Sequence, residues 1–89
     1  MPPSREDFEL RLQQLFAEAT ARGEAYVDIE AGDLHRDVGD YPGENHRMPV
    51  CCVAMQQSVA PVDQILYAPP SGQGASLRIR FMLPRVVGA

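Results

Sequence analysis

The side chains best equipped for chemistry are His35, His46, Cys51 and Cys52. These are zinc-ligand types, and a cysteine beside a histidine also has the makings of a thiol nucleophile. Their spacing argues against both uses. Cys51 and Cys52 are adjacent, so on a helix they diverge by about 100° and do not easily share one ion. No Cys-x-x-Cys pair is present. A thiol several residues into a helix is expected to be buried and therefore inert. A disulfide between neighbours would be badly strained, and there is no third cysteine. Reduced thiols suit a cytosolic protein. Gly72-Gln-Gly74 lacks the glycine order of a phosphate cradle, and no Walker or dinucleotide motif occurs. The sequence therefore predicts no enzyme activity, no metal and no cofactor.

Charge is the next chemical signal. The net is -4, which counts against a polyanion partner, but the distribution is uneven. Residues 1–44 carry four arginines against eleven acids, a net of -7. Residues 45–89 carry four arginines against Asp63 alone, a net of +3. Such asymmetry can orient a domain on a polyanion, and an acidic half can equally meet a basic partner. All eight cations are arginine, a residue suited to bidentate contacts with guanine and phosphate.

These residues need elements to position them. Ser4 and Asp7 read as a capping box opening a helix over 5–22, with Phe8, Leu12, Leu15, Phe16 and Ala19 at helical spacing. Gly23 ends it. Residues 25–30 alternate as a strand, with Val27 and Ile29 facing inward. A short helix covers about 32–38, with Leu34 and Val38 on the core side and His35, Arg36 and Asp37 pointing outward. A turn at 40–44 leads to a second helix over Asn45–Val59, with Asn45 as its cap. Met48, Cys51, Cys52, Met55 and Val59 would face the core, and Arg47, Val50, Ala54 and Gln57 would lie opposite. Residues 64–68 read as a strand, 69–74 as a loop that leaves the hairpin flexible, and 76–83 as the clearest strand. The expected core is Phe8, Leu12, Leu15, Val27, Ile29, Leu34, Val38, Met55, Ile65, Leu77, Ile79 and Phe81. With 89 residues and 45% apolar content the chain reads as one domain, with loose tails at 1–3 and 85–89. No run approaches the roughly 18 apolar residues of a membrane span. The start lacks a secretory pattern, so the cytoplasm is the expected compartment.

The order α-β-α-α-β-β over residues 5–84 resembles the winged helix-turn-helix superfamily, an α+β fold with a C-terminal β-hairpin wing. The phrases Asp33-Leu-His-Arg36 and Asn45-His-Arg-Met-Pro49 resemble those of a small bacterial family. The superfamily resemblance implies that the second helix of the motif enters the DNA major groove while the wing touches backbone or minor groove. Carried over, the DNA-binding residues would be Asn45, His46 and Arg47 at the helix start, and Val50, Ala54 and Gln57 on its outer face. Gln73 would sit at the wing tip. His35 and Arg36 would reach phosphate, and Arg78 and Arg80 would lie on the wing. That reading implies a small transcriptional regulator or an accessory of DNA-processing machinery.

Each feature has a plainer alternative. Arg78 and Arg80 can form cross-strand ion pairs with Asp28 and Glu30. Arg36 and Arg47 can be solvated or paired with Asp37, Asp40 or Glu44. The competing expectation is a non-enzymatic protein-interaction module on the same fold, docking through the acidic first helix. Dimerisation through that helix is a further expectation, as many winged-helix regulators read two half-sites. A positive surface joining Arg36, Arg47 and Arg78 would favour DNA. Pairing of those arginines with acids would favour a protein.

Overall fold

Ser4 opens the first helix as its sequence predicts. Its Oγ accepts the Asp7 N–H at 3.3 Å, and Asp7 accepts the Ser4 N–H at 2.9 Å. In this computed structural model, which describes residues 3–39, 41–43 and 47–85, the helix α1 runs Arg5–Ala21. Phe8, Leu12, Phe16 and Ala19 form its buried stripe. Gly23, at φ +79°, turns the chain out of it, a conformation that favours glycine.

The strand β1 (Tyr26–Glu30) passes directly into α2 (Ala31–Val38). Glu30 caps α2 without a side-chain bond. The first amides of α2 instead find carbonyls before the last strand: Ala31 N–H donates to Leu77 O at 2.8 Å and Gly32 N–H to Ala75 O at 2.9 Å. A Cβ at Gly32 would lie 3.2 Å from Ala75 O, so glycine suits this approach. Gly39, at φ +127°, closes α2.

The helix α3 runs Met48–Gln57 and is shorter than the expected Asn45–Val59. Arg47 occupies its N-cap position, Pro49 sits in the first turn, and Asn45 lies outside the described residues. Met48, Cys51, Cys52 and Met55 are buried as expected. Ala54, expected outside, is fully buried. The reason is composition: seven of the first eight residues of α3, with a proline between them, are apolar, so periodicity cannot single out one core face.

The strands β2 (Gln64–Tyr67) and β3 (Arg78–Met82) complete a three-stranded antiparallel sheet in the order β1-β3-β2. Tyr26 pairs with Met82, Asp28 with Arg80 and Glu30 with Arg78. On the other side Gln64 pairs with Arg80, Ile65 with Ile79 and Tyr67 with Arg78, with a register shift that leaves Leu66 unmatched. The fold of the described residues is thus α+β, three helices beside one antiparallel sheet.

Leu77, Ile79 and Phe81 alternate into the core against Phe8, Leu12, Phe16, Leu34 and Met55. Leu15, Val27 and Val38 are only partly buried at its margin. Ile65 is a correction to the expected core: it is 55% exposed. It pairs with the buried Ile79 but belongs to a strand exposed at every residue, and none of the described helices packs on β2 as α1 and α2 pack on β1.

Candidate interaction surface

The turn between α2 and α3 is built around His35. The sequence predicts this ring at the surface, reaching phosphate, yet it is fully buried. Its Nδ1 lies 2.9 Å from Gly39 O, and its Nε2 accepts the Arg47 N–H at 2.7 Å. The two bonds together define the tautomer with the proton on Nδ1. His35 therefore joins the end of α2 to the start of α3. Phe8 meets its ring edge-on at 4.9 Å, and Tyr41 lies 5.2 Å away on a tilt. Leu34 and His35 are both buried because α2 is embraced by α1 and α3, so its inner face is wider than one stripe.

Around this turn, Arg36 remains outside but donates to Asp33 at 3.0 Å and lies over the Tyr41 ring at 5.4 Å. Asp37 accepts from Arg11 of α1 rather than from Arg36. Arg47 is exposed and makes no ion pair among the described residues. His46 and Asn45 lie outside the described residues. On α3, Val50 is half-buried, and Gln57 accepts from Arg5 at 3.4 Å. The outer side of the first two turns of α3 is apolar. Pro49, Val50 and Val53 line an open groove of about 450 Å³ with Ser4, Arg5 and Glu6 of the α1 start.

The arginines of β3 are committed to β1. Arg80 grips both Asp28 oxygens at 2.8 and 3.1 Å, and Arg78 reaches Glu30 at 3.2 Å. These are the cross-strand pairs that the sequence offers as the plainer alternative. The hydrogen bond from Arg80, with the charges of Arg80 and Arg78, lowers the Asp28 pKa despite the opposing effect of desolvation. Arg80 also lies 4.0 Å above the Tyr26 ring. Gln73 is exposed on the loop before β3.

That loop, read from sequence as flexible, is tied to α3. Gln56 Nε2 donates to Gly72 O at 2.8 Å. Cys52 Sγ donates to Gly74 O at 3.4 Å and receives the Gly74 N–H at 3.3 Å. Cys51 Sγ donates to Ala31 O at 3.5 Å. Both thiols are free and buried, as their helical position predicts. Burial, aided by the neighbouring Cys52, pushes the Cys51 pKa up to about 12. Burial also raises that of Cys52, against the pull of the Gly74 N–H. Thiols held protonated in this way pack and pin backbone, and are poor nucleophiles. No group of three metal-ligating side chains occurs among the described residues. Among the described residues, no helix is long and apolar enough to cross a membrane.

Sequence reasoning missed Asp63. Its side chain has no exposed surface, and it accepts the N–H groups of Ala60 at 2.7 Å and Met82 at 2.8 Å. Arg85 adds a bond at 2.8 Å and also reaches Ser58 O at 2.7 Å, over the rings of Phe16 and Phe81. Burial alone would raise the carboxyl pKa, but Arg85 and the two backbone donors outweigh it and lower the pKa. Asp63 therefore staples the start of β2 to the end of β3. The only sequence signal was its position as the single acid after residue 44.

Beyond this staple the surface turns apolar. Ile65, Leu66 and Tyr67 are all exposed on the outer strand of the sheet, and Val62 is exposed in the turn just before it. The chain matches no family model, no curated protein and no solved structure.

Proposed function

We propose that this chain is a winged-helix domain that acts without catalysis, as a protein-docking module. The element order α-β-α-α-β-β and the sheet order β1-β3-β2 support the winged-helix reading. The observation that carries the docking reading is the internal pairing of the arginines expected to meet phosphate. Arg36, Arg78 and Arg80 are held by Asp33, Glu30 and Asp28. A phosphate approaching them meets a neighbouring carboxylate as well, in a chain of net charge -4. Buried, protonated thiols fit a cytosolic setting.

The acidic face of α1 is less bare than its sequence suggests. Asp7 closes the capping box, Glu9 pairs with Arg5, and Glu18 pairs with Arg11. The exposed apolar residues from Val62 to Tyr67 are the more promising docking surface.

One observation favours a second reading, duplex binding: Arg47 is exposed at the start of α3 without an ion pair among the described residues. A titration of labelled random-sequence duplex by fluorescence anisotropy, from low to near-physiological salt, separates the two. The docking reading predicts no salt-dependent binding. Binding that weakens with a log-log salt slope of about -3 or steeper, and that Arg47→Ala diminishes, would overturn it in favour of DNA.

A further inference from the structure

We infer that β2 pairs edge to edge with β2 of a second copy of this chain. The inference rests on the protein-docking reading and names its partner. As the outer strand of the order β1-β3-β2, β2 has β3 on one side only among the described residues, so one row of its backbone groups has no described strand beside it. Such an edge is a template for another strand.

Three observations point to a second copy as the occupant. The stretch from Gln64 to Leu77 contains no charged residue. The acid just before it, Asp63, is buried in its staple with Arg85. Two molecules of net charge -4 thus approach at this edge without a like charge from either strand in the contact. A basic or acidic partner, by contrast, finds no complement there.

The sequence of the strand is also compatible with itself. Antiparallel pairing about a two-fold axis between Ile65 and Leu66 sets Ile65 of each copy opposite Leu66 of the other, with Gln64 opposite Tyr67. Aliphatic side chains meet at the centre, and the two residues with polar tips meet at the rim. This is the isologous arrangement of a closed dimer. Ile65, Leu66 and Tyr67 are respectively 55%, 40% and 52% exposed, so all three have apolar surface to lose.

Edges are commonly protected by charges, prolines or bulges. Gln64–Tyr67 has neither charge nor proline, and its one irregularity is the register shift at Leu66. That shift, with a strand of four residues, makes the pairing short and the dimer concentration-dependent.

Sedimentation equilibrium from about 1 µM to about 1 mM tests this across the affinity range of a small interface. The expected mass rises from 9.8 kDa toward twice that value. Ile65→Lys is expected to stay monomeric throughout with an unchanged melting temperature, since Ile65 is largely exposed. Leu10→Lys, at an exposed site on α1, is expected to associate like the parent chain. A parent chain that stays monomeric overturns the inference, as does an Ile65→Lys variant that still dimerises. Loss of association in Leu10→Lys places the dimer on α1 and also overturns it. Salt-dependent duplex binding would sink the broader docking reading whatever mass is found, whereas a monomer indifferent to DNA would sink only the β2 pairing.

Discussion

The two edges of this sheet have opposite characters. Along β1, Asp28 and Glu30 alternate with Val27 and Ile29, and each acid is gripped by an arginine of β3. That strand runs straight into α2, and both α1 and α2 pack against it. Along β2, four uncharged residues lie exposed, and their register slips once against β3. Both edges share β3, so neither the central strand nor its arginines explain the contrast. The difference lies in what each outer strand brings. One supplies charges for the arginines and a covered inner face, and the other supplies apolar surface that the helices do not reach. A charged edge resists pairing with a further strand, and a neutral one permits it.

Removing the Asp63 staple should have the largest effect on this contrast, because among the described residues it is the one buried ion pair beside β2. Asp63→Ala leaves two backbone N–H groups without their acceptor and Arg85 without its carboxylate partner, and should cost about 3 kcal/mol in a urea titration. The pH dependence follows from the lowered pKa of Asp63 and Asp28. A carboxylate depressed in the folded state stabilises fully above its ordinary value of 3.8 and loses that contribution as pH falls through the folded value. The parent chain should therefore lose stability progressively below that value, and Asp63→Ala should lose less of it over the same range. Equal acid sensitivity in both proteins would remove Asp63 from its assigned place.

Arg80→Ala should have a smaller effect, since its ion pair with Asp28 is about one-third exposed. The difference in melting temperature from the parent should shrink as NaCl rises from about 0.05 to about 1 M, because salt screens exposed pairs. A salt-independent difference would mean that Arg80 acts through its packing on Tyr26 rather than through charge.

Much of the architecture was legible in the sequence because local rules and tertiary structure agree here. The capping box at Ser4, the alternation from Val27 to Glu30 and that from Leu77 to Phe81 all gave the observed elements. The pairing of Arg78 and Arg80 with Glu30 and Asp28 was legible too, because strand alternation places the charges on one face. Other features depend on contacts distant in sequence. His35 is buried because α1 and α3 close over a helix whose outer face looks polar in isolation. Ala54 is buried in a helix too uniformly apolar for a face to be assigned. Ile65 has the composition of a core residue and lacks only a helix to cover it. Asp63 became visible only once Met82 and Arg85, 19 and 22 residues away, were placed beside it.

Amide hydrogen exchange of the two edges at low and high protein concentration tests the central contrast most directly. The account predicts that amides of residues 64–67 gain protection as concentration rises, while those of residues 26–30 stay unchanged. Protection that does not depend on concentration in β2, or that increases in β1 or along α1 instead, would contradict it.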